Sequence, residues 1–318
     1  MKRNVSERCI PKRALAASDH ILVAIDSNDA DYLVSHAMAQ AKKTQARITL
    51  VHAIMPMNSV AVESRSVPCI DEAVLEREAL RMLGELSGPL ESQHIDCKVV
   101  ARRGFAADVI CEEIRRSGAT RVIMGTHGRR HLAEFALGSV AKEVLRNADI
   151  PVFAVGPHAQ RKAGRETPRK ILHPVSLVGH YEESVKFAME LARIHGAELH
   201  LLHVLRSDFE ANSDPGRSLD WAEHAMTTLV ASEAKTVPLV QTSATFGNVL
   251  REILFAAAVV DADWIVIGVH GTFPFWPLSD NTAYRVLAEA NCPVLTIPHN
   301  SYREKLLDEL PACTPRIS

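Results

Sequence analysis

Four residues in GTHGRRHLAEFALGS (125–139) have the types and spacing to hold an anion: Gly125, Gly128, Gly138 and Ser139. Glycine carries no Cβ, so a backbone can approach a charged group closely. A helix starting after Gly138 would offer unpaired main-chain N–H groups and the positive end of its dipole, which favours phosphate. The Ser139 hydroxyl adds a donor. The same residues also suit a purely structural loop with a serine-capped helix, and spacing alone leaves both readings open. Later the chain spells GVHGTFPFWPLSDNT (268–282), which begins alike and loses the glycine–serine ending.

The elements that must position this loop emerge from an internal repeat. HILVAIDS (20–27) returns as KILHPVSL (170–177), and AMAQAKKTQARITLVHAI (37–54) as AMELARIHGAELHLLHVL (188–205). GFAADVICEEIRRSGATRVIMGTHG (104–128) returns as GNVLREILFAAAVVDADWIVIGVHG (247–271), and NADIPVFAV (147–155) as EANCPVLTI (289–297). Four blocks recur in order about 145 residues apart, which marks a duplicated domain rather than a solenoid. The expected organisation is a basic arm (1–18), a first domain (19–156), a linker (157–169) rich in Gly, Pro and basic residues, a second domain (170–299) and a tail (300–318).

Within the first repeat, β-rich runs near 20–26, 47–54, 96–101, 120–125 and 151–155 alternate with helical patterns near 29–44, 71–93, 105–117 and 139–148. The runs are mostly apolar rather than alternating, as parallel strands covered on both faces should be. In the second repeat Val185, Ala188, Met189 and Ala192 line one helix face, and Gly196 offers a C-terminal cap. The fold class is therefore α/β: two tandem Rossmann-like, doubly wound domains, each with a five-stranded parallel sheet. Such sheets bind ligands beyond the carboxyl ends of their strands, where Gly125 falls.

Composition narrows the classes. The chain has 318 residues, 47% of them apolar and 23% charged, with a formal net charge of −2. That balance gives no reason to expect nucleic acid as partner, and no apolar run is long enough to span a bilayer. Six scattered cysteines without CxxC spacing suit a reducing compartment, so the expected location is cytoplasmic. No GxxxxGK[ST] and no GxGxxG after the first strand occur, which removes the P-loop and the dinucleotide fingerprint.

The loop G-x2-G-x9-G-[ST], read here as Gly125, Gly128, Gly138 and Ser139, resembles the nucleotide-binding signature of the ATP-binding universal stress proteins. The first strand ending Ala24-Ile25-Asp26 and the second ending LVHA, with His52 and Ala53, are similar to that family too. The resemblance covers both repeats, and it implies a fold of the adenine nucleotide α-hydrolase type with ATP, with or without Mg2+, as ligand. Carried over by motif, Ala24 and Asp26 would lie by the nucleoside and Ala53 would offer backbone contacts to adenine. Met124 and Gly125 would meet the nucleoside, while Gly128, Gly138, Ser139 and Val140 would cradle the phosphates, with Arg129 and Arg130 adding charge. The resemblance also implies that the two repeats pair as an internal pseudo-dimer through PVFAV and PVLTI, with a homodimer as a further assembly.

The second repeat departs from the pattern. Aligning the helices that follow sets Asp280-Asn281 against Gly138-Ser139, and Ser176 against Asp26. An aspartate there would cap the helix with its own carboxylate and repel phosphate by ~1 kcal/mol in water-like surroundings and ~4 at a dielectric near 20. One nucleotide site per chain is the expectation. FPFWPL (273–278) either packs over the vacated corner or forms a binding surface. His127 and His131 give H-x3-H without an evident third ligand, so no metal is expected. Three functions follow: a nucleotide-binding regulator in stress response, a slow ATP hydrolase, or a nucleotide-independent binder that uses the aromatic loop.

Overall fold

The computed structural model describes residues 19–26, 30–56, 72–126, 137–159, 166–177, 181–205, 215–231, 237–270 and 282–299. The first repeat runs β1 (His20–Ala24), α1 (Ala30–Thr44), β2 (Arg47–Ile54), α2 (Glu72–Ser92), β3 (Cys97–Arg103), α3 (Ala106–Ser117), β4 (Arg121–Gly125), α4 (Ser139–Asn147) and β5 (Val152–Val155). The second runs β6 (Lys170–Pro174), α5 (Glu182–His195), β7 (Glu198–Leu205), α6 (Pro215–Val230), β8 (Val240–Phe246), α7 (Val249–Val259), β9 (Trp264–His270), α8 (Thr282–Glu289) and β10 (Val294–His299).

Local sequence explains these elements. All five residues of β1 are buried, as a strand covered on both faces requires. On α5, Val185, Ala188, Met189 and Ala192 form the buried face, and Gly196 ends the helix in the left-handed region at φ 65°. Gly118 ends α3 in the same way at φ 66°.

Together the strands make one ten-stranded sheet in the order β3-β2-β1-β4-β5-β10-β9-β6-β7-β8. Pairing is parallel within each repeat. The two halves meet at β5 and β10, which pair antiparallel with Phe153 opposite Leu295. The last strands therefore join the repeats, as expected. One core lies under α1, α2, α5 and α6, and the other under α3, α4, α7 and α8. Each core runs across the junction, so the apolar faces of the two repeats are buried as a unit.

Across the first core a column of rings crosses the junction. His36 of α1 packs on Phe153 of β5 (5.1 Å between centroids), Phe153 on Trp264 of β9 (4.9 Å), and Trp264 on His195 of α5 (4.9 Å). On the other face the repeats approach at Gly156, where a Cβ would come within 2.9 Å of the Leu287 carbonyl oxygen. Because β5 and β10 are antiparallel, the carboxyl ends of the first repeat's strands share a rim with the amino ends of the second's. Among the described residues no helix is long and apolar enough to cross a membrane.

Candidate functional site

In the first repeat the chain leaves β1 toward β2 on one side and reaches β4 on the other, so the sheet switches direction between β1 and β4. That crevice, at the strands' carboxyl ends, is where doubly wound sheets take ligands. Ala24 and Met124 lie opposite each other across it, both buried. Asp26 follows two residues beyond β1 and is half-buried, and Ala53 lies half-buried near the end of β2. Gly125 closes β4 and is half-buried.

Thr126 then fixes the loop. Its N–H donates to the Val155 carbonyl at 2.9 Å, and its own carbonyl accepts from Gly138 N–H at 2.9 Å. The excursion 127–136 thus returns to the place it left, and Gly125 and Gly138 are brought together by one peptide group. Thr126 is 1% exposed. Sequence reasoning passed over it, because both of these bonds run through the main chain.

Gly138 is the N-cap of α4, at φ −60° and ψ 152°. Those torsions are open to any residue, so what glycine supplies here is the missing Cβ rather than backbone freedom. No side chain caps the helix among the described residues, and its first turn holds no acidic residue. Ser139 is exposed and Val140 half-buried. The start of α4 therefore presents main-chain donors and the helix dipole without a competing carboxylate, an arrangement that suits an anion.

The structure brings together Ala24, Asp26, Ala53, Met124, Gly125, Gly138, Ser139 and Val140 at one rim of the first repeat. Gly128, Arg129, Arg130, His127 and His131 lie outside the described residues. Among the described residues no group of three or more His, Cys, Asp or Glu side chains could hold a metal ion.

The second repeat keeps part of this frame. His52 and His203 stand at equivalent places: each Nδ1–H donates to a main-chain carbonyl just past the first strand, Ile25 and Val175, at 2.8 Å in both. They tie the second strand to the first and are fold features. Gly104 and Gly247 are equally matched, each donating its N–H to the last residue of the preceding parallel strand, Ile54 and Leu205. In place of Asp26 stands Ser176, exposed, and α8 begins at Thr282. Asp280, Asn281 and the 273–278 aromatic run lie outside the described residues.

Comparison with known proteins matches the universal stress protein family model twice, over residues 17–156 and 168–298. A universal stress protein A homolog of Coxiella burnetii is 30% identical over 138 residues, covering 42% of this chain and 91% of that protein. A universal stress protein of Mycolicibacterium smegmatis is 24% identical over 300 residues, covering 87% of this chain and 96% of its own. Among solved structures, a universal stress protein from Archaeoglobus fulgidus superposes with a TM-score of 0.70 at 18% identity, over 88% of this chain and 98% of that one.

Proposed function

This chain belongs to the universal stress protein family, and on that premise we propose that its first repeat binds an adenine nucleotide, ATP foremost, while its second does not. The chain would then act in stress response as a cytoplasmic regulator with one nucleotide site. The observation that carries the reading is the start of α4: an uncapped helix N-terminus without an acid in its first turn, at the switch point of the sheet, reached through a glycine whose torsions do not call for glycine. A side chain at 138 would stand where a phosphate has to approach. Ser139 and the N–H groups of Ser139 and Val140 would hold phosphate, Asp26 and Ala53 the nucleoside, and Gly128 and Arg129 would complete the cradle. The ligand supplies the difference in charge and shape that such a regulator reads.

Titration calorimetry of the purified chain with ATP, ADP and AMP tests this. The expected result is close to one site per chain, with Gly138→Asp weakening ATP at least tenfold. Two sites per chain would sink the assignment to the first repeat alone. Unaltered binding in the variant would remove the phosphate cradle, and no binding of any nucleotide would remove the reading altogether.

A further inference from the structure

Gly156 directly follows β5, at the place where the two repeats approach most closely on the α8 side. It is not among the glycines with positive φ, so its torsions do not call for glycine. A Cβ there would lie 2.9 Å from the main-chain oxygen of Leu287, in α8 of the second repeat, and 3.8 Å from that of Ala290. Aligning PVFAVG (151–156) with PVLTIP (293–298) sets half-buried Pro298 at the equivalent place. The first repeat has thus kept this position clear for its neighbour's helix, and the second has not. Gly156 also adjoins the loop at the candidate site. The Val155 carbonyl belongs to the peptide bond with Gly156 and accepts from Thr126 N–H at 2.9 Å, and the Thr126 carbonyl accepts from Gly138 N–H at 2.9 Å. Two hydrogen bonds and the backbone of Thr126 therefore link Gly156 to the N-cap of α4.

We propose that α8 of the second repeat, seated on Gly156, positions the phosphate corner of the first repeat, so that one repeat sets the nucleotide affinity of the other. The proposal rests on the reading that the first repeat binds nucleotide. Gly156 is a positioning residue, which acts on phosphate through Val155 and Thr126. A close contact with a main-chain oxygen is not relieved by turning a side chain, because a helix carbonyl moves only with its helix. A side chain at 156 would therefore displace either α8 or the end of β5. The turn after Gly156 is held too, its carbonyl accepting from Ala159 N–H at 3.2 Å. Displacing the strand end tilts the Val155 carbonyl, and a hydrogen bond weakens steeply with angle. The strap through Thr126 then slackens, and Gly138 carries the donors of Ser139 and Val140 away from a bound phosphate. The nucleoside side is spared: Ala24, Asp26 and Ala53 belong to β1, the residues just past it and β2, which lie beyond β4 from β5. The effect of the α8 seat thus falls on phosphate and not on adenosine.

Titration calorimetry of the full chain with ATP and with adenosine, in wild type, Gly156→Ala and Gly268→Ala, is the test. Gly268 is the control, since nothing lies within 4 Å of a Cβ placed there. Gly156→Ala is expected to weaken ATP about tenfold, as for misaligned donors to a charged group, and to leave adenosine within about twofold. Gly268→Ala should change neither. In the ligand-free chain the Thr126 and Gly138 amides should exchange faster in Gly156→Ala, while those of β1 and β2 keep their protection. If Gly156→Ala does not fold, Glu289→Gly carries the same test from the second repeat alone. It removes the Arg285–Glu289 pair and loosens the last turn of α8, and it should weaken ATP about threefold with adenosine unchanged. Unaltered ATP affinity in the folded variant would overturn the proposal. Equal losses of ATP and adenosine would also overturn it, because Gly156 would then support the repeat as a whole. A wild type that binds neither ligand would remove the nucleotide reading instead. Exchange at Thr126 and Gly138 then decides whether α8 positions the loop, and unchanged exchange there would overturn that too.

Discussion

His52 and His203 hold equivalent main-chain carbonyls at the same 2.8 Å, yet at the other end of the strands the repeats solve the same packing problem in opposite ways. At the start of β4 the first repeat buries Arg121, ion-paired with buried Asp19. At the equivalent place in β9 the second repeat buries Trp264, packed edge-on between Phe153 and His195. The first repeat places Val23 and Thr44 where the second places His173 and His195, and His36 where the second has Phe187. What the duplicated halves share is the anchoring of backbone to backbone. What they have exchanged is the chemistry of the side chains in the core, and that exchange can be tested for its consequences.

Acid should reveal the largest difference. Burial pushes His173 down to about 4, with the Val266 carbonyl acting against the shift. Burial, aided by Arg121 and Lys43, pushes His195 down to about 3. Burial pushes His36 down to about 4, opposed by Glu166. Each is therefore neutral in the folded chain, while the unfolded chain binds a proton below about 6.5. The unfolded state then holds more protons, so stability falls as pH drops from about 6.5 toward 4 and is fully present above that window. Each group forfeits ~3 kcal/mol or more by pH 4, and the two in the second repeat together approach the whole stability of a domain. His20 and His200, one in each repeat, are also lowered by burial. Denaturant midpoints measured from pH 7.5 to 4 should flatten most in His173→Val with His195→Thr, and less in His36→Phe. An equal slope in both variants would show that the acid sensitivity is not concentrated in the second repeat.

A smaller effect separates the two aspartates beside these strands. Burial lowers Arg121 to about 10, still charged at neutral pH, and Asp19 is the carboxylate that answers it. Asp19→Ala leaves that guanidinium buried without its carboxylate and should cost about 3–5 kcal/mol. In the second repeat Asp263 instead accepts from the main-chain N–H groups of Arg169 (2.8 Å) and Lys170 (3.0 Å). Asp263→Ala should cost about 1–3 kcal/mol, because amides rather than a buried cation lose their partner. Urea denaturation of both variants decides it, and equal losses would mean that the Asp19–Arg121 pair is no more demanding than a pair of capped amides.

Much of this was legible in the sequence because the duplication let each repeat annotate the other. The strands and the paired histidines follow from blocks that line up, the Gly196 cap from the helix face that precedes it, and the joining of the last strands from the family resemblance. The ring column was not legible: His36, Phe153, Trp264 and His195 come from four elements in both repeats, and no local period records which rings meet across a junction. At the site, the strand ends and the helix start were readable from the glycines, whereas the role of Thr126 was not, because the two bonds that fix the loop there run through main-chain atoms that carry no residue-type signal.

The smallest differences concern helix starts. In α7, Asn248 caps the helix, its side-chain oxygen accepting from Arg251 N–H at 3.2 Å. In α3 the same position is Phe105, 56% exposed and making no such bond. Asn248→Ala should therefore cost about 1 kcal/mol, and Phe105→Asn should gain up to about 1 kcal/mol, both measured by thermal unfolding. The start of α4 belongs in this series, because Gly138 leaves it as bare as that of α3. Gly138→Asp should stabilise the nucleotide-free chain by a few tenths of a kcal/mol, since glycine is already a tolerable cap and the added carboxylate also meets the helix dipole. The same change is expected to cost ATP at least tenfold in affinity. A bare α3 improved by a cap loses nothing else, while a bare α4 improved by a cap loses its ligand. If Gly138→Asp stabilised the chain and left nucleotide binding intact, the bare end of α4 would be of the same kind as that of α3, a local imperfection without a task.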